Sequence, residues 1–176
     1  TGFQTSIFQP DLANAQDRDY RLSEVLIESG DSGRLAPMSS FAGTPYWSDL
    51  NYLSNMSPLP ADLRIGSWAR LDQAINELAA ERGELWVLTG PLYEIRSSLA
   101  VTSAEASNRP AGFFKVIAMG NEAAAFVFPA ALAQHAHYCA QYRSVAEVQA
   151  RYGLDLFPAS APTDGAELRA ALRCQD

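Results

Sequence analysis

The chain has 176 residues, 48% of them apolar and 19% charged, which is enough to bury a core of ordinary domain size and excludes a disordered tract. With 13 basic against 20 acidic residues the formal charge is −7, so the surface as a whole repels a phosphate backbone. Lys115 is the only lysine, and the arginines are scattered without any basic run that would form a nucleic-acid-binding arm.

No stretch approaches the roughly 18–20 apolar residues that a bilayer-spanning helix requires; the longest apolar-rich piece, residues 123–133, is interrupted by Pro129. Thr1 opens the chain without a charged-then-apolar leader, the pattern of a processed secretory protein or of a trimmed chain. The two cysteines, Cys139 and Cys174, lack the CxxC spacing of zinc and redox sites and leave open a single bridge or two buried thiols.

In chain order, residues 1–40 read as an extended arm with a short strand at 25–27 and a turn at Gly30 and Gly33. Residues 39–66 carry Pro45, Pro58 and Pro60 among Gly, Ser and Asn, which predicts a long ordered loop of the kind that carries function. Ser67 then fits the N-cap of a helix in which Trp68, Leu71, Ile75 and Leu78 recur at three-and-four spacing, with Gly83 as its stop.

Residues 85–88 predict a buried strand closed by Gly90-Pro91, and 113–118 with 124–128 flank Gly120-Asn121 as a hairpin in the same sheet. Ser144 with Glu147 forms a capping box for a helix reaching Gly153, and residues 166–173 a last small amphipathic helix. The order is α+β, without internal repeats.

Several blocks fall in a recognisable series: Asp31-Ser32-Gly33-Arg34-Leu35-Ala36-Pro37, Phe41-Ala42-Gly43-Thr44-Pro45, Asn51-Tyr52-Leu53-Ser54-Asn55-Met56-Ser57-Pro58 and Trp68-Ala69-Arg70-Leu71-Asp72. They continue through Val87-Leu88-Thr89-Gly90-Pro91, Phe113-Phe114-Lys115-Val116 and Gly153-Leu154-Asp155-Leu156-Phe157-Pro158. In this order the chain resembles the DNA/RNA non-specific endonucleases, the ββα-metal (His-Me finger) nucleases. An ordered series is far more specific than any single motif. The resemblance implies one nuclease-like domain over residues 1–176, with a central, mostly antiparallel sheet, flanking helices and shortened amino-terminal strands.

The same resemblance locates a site and its departures. The family's first block reads Asp-Arg-Gly-His, whose histidine is the general base; the arginine position here is Ser32 and the histidine position Arg34, beside Asp31. The family's metal-ligating asparagine lies nine places after the Asn of Asn-x-x-Pro, which is Arg64 counted from Asn55. The family tryptophan, thirteen places on, is Trp68, so the register holds. The glutamate that orders metal-bound water is Asp72, and the frequent glutamine after Asn-x-x-Pro is Leu59.

These substitutions alter the chemistry. A general base needs a pKa near the working pH, and guanidinium, with a pKa above about 12, stays protonated. Arg64 offers donors and positive charge where a hard cation needs oxygen. Two unit charges about 4 Å apart repel by roughly 4 kcal/mol at an effective dielectric of 20, so a divalent ion there is strongly opposed. Asp72 and Asp31 are expected to pair with the new arginines, as an internal salt-bridge network or, less favoured, as a pocket for phosphate or another acidic group.

His135 and His137, two apart, would face different sides of a helix, so surface histidines are favoured over a metal site. Tyr46 and Trp47 on the proline-rich loop suit a contact with a partner protein, while Trp68 is expected in the core. Secreted members of the family often carry a bridge near the carboxy terminus, so the resemblance implies a Cys139–Cys174 disulfide and a secreted or periplasmic location. The reading is a catalytically degenerate nuclease domain, a pseudonuclease without cofactor, serving as a binding or structural subunit with protein partners; nucleic acid is disfavoured. The alternative is an active endonuclease using Mg²⁺.

Overall fold

A computed structural model describes residues 33–93 and 109–174. The strand expected at 25–27, the turn at Gly30, the shortened amino-terminal strands, Asp31 and Ser32 lie outside the described residues.

Two short strands open the described chain, β1 (Gly33–Arg34) and β2 (Met56–Ser57), antiparallel with Gly33 opposite Ser57 and Arg34 opposite Met56. Between them residues 38–55 carry 3-10 turns, including Met38–Phe41 and Trp47–Asn51, within the long ordered loop expected from the sequence. Asn55 is what ties this excursion back. Its side chain accepts from the Ala36 amide at 2.8 Å and donates to the carbonyls of Ala36 and Leu50, so β1 and the turns share one clamp.

After β2 comes a short turn of helix, α1 (Ala61–Leu63), a wide π-type turn at Arg64–Trp68, and the long helix α2 (Ala69–Arg82), stopped at Gly83 with φ of 95°. Ser67 does not cap α2 as the sequence predicted. The chain is already helical there, and the Ser67 hydroxyl instead donates to the Ala136 carbonyl, which Arg70 also binds at 2.6 Å. Gly66 breaks the helical path with ψ of −120°, because the backbone of Gln134 presses against it: a Cβ would stand 2.5 Å from the Gln134 carbonyl oxygen.

Three longer strands follow, β3 (Trp86–Leu92), β4 (Gly112–Met119) and β5 (Glu122–Pro129). The hairpin of β4 and β5 turns at Gly120-Asn121 as expected, with Gly120 at φ of 60°. Beyond β5 lie β6 (Tyr142–Arg143), the helix α3 (Val145–Tyr152), β7 (Thr163–Asp164) and α4 (Ala166–Ala171). The strand order is β3-β4-β5-β6, antiparallel, with β7 parallel to β5. The Ser144 side chain accepts from the Glu147 amide at 3.1 Å and Gly153 takes the left-handed conformation, so both ends of α3 form as the sequence predicts.

Helices cover both faces of the sheet, and β4 is accordingly buried from Gly112 to Ala118. Its alternation sends Phe113 and Ile117 into a core with Leu59, Leu63, Trp68, Leu71, Ile75 and Leu78, and Phe114 and Val116 into a second core with Val145 and Val148. Lys115 shares the parity of Phe113 and Ile117, which commits the only lysine of the chain to the α2 side of the sheet.

Candidate functional site

The β1–β2 pair, the wide turn and α2 build one wall each of a cavity of about 420 Å³, whose lining includes Arg34, Arg64, Trp68, Asp72, Asn76 and Glu77. The structure brings Arg34, Arg64 and Asp72 together in this lining. Arg34 is half-buried and donates from its terminal nitrogen to Asn51 Oδ1 at 2.5 Å, while its Nε is buried without a hydrogen-bond partner. Arg64, at the mouth, is exposed. Gly33 lets β1 approach: a Cβ there would meet Leu59 Cβ at 2.6 Å and Arg64 Cδ at 3.2 Å.

Trp68 is 2% exposed and sits edge-on to Phe113 and Phe128, with centroids 6.0 Å and 5.6 Å away, so it is core as expected. Tyr46 and Trp47 are 64% and 51% exposed and do not line this cavity. His135 and His137 are also elsewhere, in a loop and not on a helix; His137 Nδ1 accepts from the Cys139 amide and its ring stacks on Tyr138. Cys139 and Cys174 are joined in a disulfide, Cα to Cα 5.2 Å.

The pairing expected of Asp72 is corrected. Asp72 is bound by Lys115, whose ammonium reaches across from β4 and lies 4.0 Å from the centroid of the Trp68 ring. No described carboxylate pairs with Arg34 or Arg64. The reason is geometric: Asp72 lies on the buried side of α2, 7% exposed, where Lys115 arrives fully buried, whereas Arg64 stands at the surface. Desolvation by burial raises the Asp72 pKa, with Lys115 pulling it back, and lowers that of Lys115, with Asp72 pulling it back. Whether ionised or with the proton shared, the pair carries no net charge. Sequence reasoning missed Lys115 here, although a lone lysine inside an apolar strand was the available signal.

Glu77 and Asn76 in the lining are also engaged. Glu77 binds Arg173 at 2.7 Å and accepts from Gln73, and Asn76 Oδ1 accepts from Ser40 at 2.6 Å. No cluster of three or more His, Cys, Asp and Glu side chains converges among the described residues. The Mg²⁺ implied by the resemblance needs oxygen ligands at a position that holds a guanidinium, with the nearest carboxylate already bonded to an ammonium, and these residues do not fit it.

The family model for DNA/RNA non-specific endonucleases matches residues 1–163. A nuclease of Serratia marcescens is 36% identical over 141 residues, covering 76% of this chain and 53% of that protein. The mitochondrial nuclease EXOG of Danio rerio is 26% identical over 184 aligned positions, covering 94% of this chain and 52% of that protein. The chain thus spans about half the length of these relatives. A solved structure of the EndoG/EndoGI complex superposes with a TM-score of 0.63 over 85% of this chain and 68% of that one, at 21% identity, which speaks for the fold alone. With its mostly antiparallel sheet and this family match over most of its length, the chain belongs to the DNA/RNA non-specific endonuclease family.

Proposed function

We propose that this domain is a catalytically degenerate member of the family that acts by binding, as a subunit of a larger assembly, and does not hydrolyse phosphodiesters. One observation carries the reading: guanidinium groups occupy the two positions where the resemblance calls for a base and an oxygen ligand, and both line the cavity. Arg34 has no lone pair with which to take a proton from water, and a positioned general base is worth roughly 10²–10⁴ in rate. Loss of the cation removes a further stabilisation of the leaving oxygen.

The Cys139–Cys174 bridge supports an oxidising compartment, hence a secreted or periplasmic location. The exposed Tyr46 and Trp47 support a protein partner docking on the 3-10 turns, which Tyr46→Asp or Trp47→Asp would weaken in copurification.

The relatives carry the name nuclease, and this favours a second reading, an active metal-dependent endonuclease. Incubation with plasmid DNA and with RNA, in Mg²⁺ or Mn²⁺, separates the two. The unmodified protein is expected to leave both substrates intact; cleavage that survives repurification and disappears in Arg34→Ala establishes the second reading.

A further inference from the structure

The carboxylates that line the cavity are each neutralised by a cation that does not line it. Asp72 is bonded to Lys115 from behind, and Glu77 to Arg173 at 2.7 Å from the side. What remains at the wall is Arg34 and Arg64, neither in an ion pair among the described residues. Arg34 Nε is buried with no acceptor among the described residues, and the rest of the guanidinium lines the cavity. Among the described residues, a protein of net charge −7 thus keeps two guanidiniums without a carboxylate partner lining one space of about 420 Å³.

We propose that this cavity is a metal-free binding site for a small phosphate monoester, held by Arg34 and Arg64. This deepens the non-catalytic reading and rests on it. Guanidinium presents a planar fork of donors that matches phosphate oxygens, and two such groups balance the charge of a monoester dianion without a cation. Met38, Pro37 and the edge of Trp68 in the same lining offer apolar surface to the organic part of the ligand. The net charge of −7 disfavours a long polyanion, for which each added phosphate brings more repulsion, and favours a ligand small enough to place its charge in the cavity.

The test is titration of the whole protein with inorganic phosphate, phenyl phosphate and a DNA oligonucleotide lacking terminal phosphates. It is run in EDTA at ionic strength fixed with chloride, and followed by calorimetry and phosphorus NMR. Both phosphates are expected to bind saturably, phenyl phosphate the tighter, and Arg64→Gln to weaken each at least tenfold. Because Arg64 is exposed, that variant keeps its packing and the test stands even if Arg34→Gln does not fold. Arg151→Gln, which does not line this cavity, should bind as the unmodified protein does. Absence of saturable phosphate binding, or equal binding by Arg64→Gln, overturns the proposal, and tighter binding of the oligonucleotide than of phenyl phosphate overturns the choice of a small ligand. Plasmid cleavage in Mg²⁺ is a separate result that defeats the non-catalytic reading, while these metal-free titrations still decide the anion site.

Discussion

Lys115 on β4 and Asp72 on α2 form a buried ion pair across the interface of sheet and helix, roofed by the Trp68 ring. The pair decides the electrostatics of the site. It removes Asp72 from the reach of Arg34 and Arg64, so the cavity presents positive charge where a carboxylate would have cancelled it.

Breaking that pair from one side strands the other charge. Lys115→Met is expected to cost about 3–5 kcal/mol, whereas Lys115→Met with Asp72→Leu should return to within roughly 1 kcal/mol of the unmodified protein. Urea denaturation of the single and double variants measures this. A single variant as stable as the parent would show that the pair contributes nothing.

The same pair predicts a pH dependence. Burial raises Asp72 above its ordinary value of 3.8, so the native state binds that proton more tightly than the unfolded chain does. The Asp72 contribution to stability then falls as pH climbs from the ordinary carboxylate value through the raised one, while Lys115, whose pKa burial lowers from 10.5, acts in the opposite sense, adding stability as pH climbs from its lowered value. In Lys115→Met no ammonium opposes the effect of burial, and the fall should be steeper. Denaturation midpoints across about pH 4 to 8 give the slope; a variant that gains stability over that range contradicts the assignment.

Gly66→Ala tests the contact that shapes the wide turn. Its Cβ would stand 2.5 Å from the Gln134 carbonyl oxygen, a backbone atom that cannot rotate away. A loss of about 1–3 kcal/mol is expected, the usual cost of overpacking, together with displacement of Arg64. Thermal unfolding measures the first, and phosphate titration the second. Gly43→Ala, at a glycine with nothing within 4 Å of its Cβ, separates packing from the backbone strain of a positive φ.

The disulfide closes a long loop, since Cys139 and Cys174 are 35 residues apart. Replacement of both by Ser is expected to destabilise by about 3–4 kcal/mol, from the chain entropy restored to the unfolded state. Treatment of the parent with reductant should reproduce the same loss. Equal melting of oxidised and reduced protein would mean the bridge is dispensable.

Local structure was written locally. The capping box Ser144–Glu147, the stop at Gly153, the hairpin at Gly120-Asn121 and the helix ending at Gly83 each depend on a few neighbouring residues, and each forms where the sequence places it. Ser67 misled because a good capping residue does not act as one when the residue at the N-cap, Trp68, is itself helical and a distant carbonyl, that of Ala136, takes the serine hydroxyl.

The sequence by itself determined the family, the β4–β5 hairpin and the arginines at two motif positions, because motif order, turn chemistry and residue chemistry survive without coordinates; the strand expected buried at 85–88 is exposed at Trp86 and Val87 and runs on through Gly90-Pro91 to Leu92. Which charges cancel was decided only by the tertiary structure. Lys115 stands 43 positions from Asp72 along the chain, and no rule of spacing joins them. Their meeting follows from the pleat of β4 and the packing of α2 upon it, and through that meeting Arg34 and Arg64 are left facing open space.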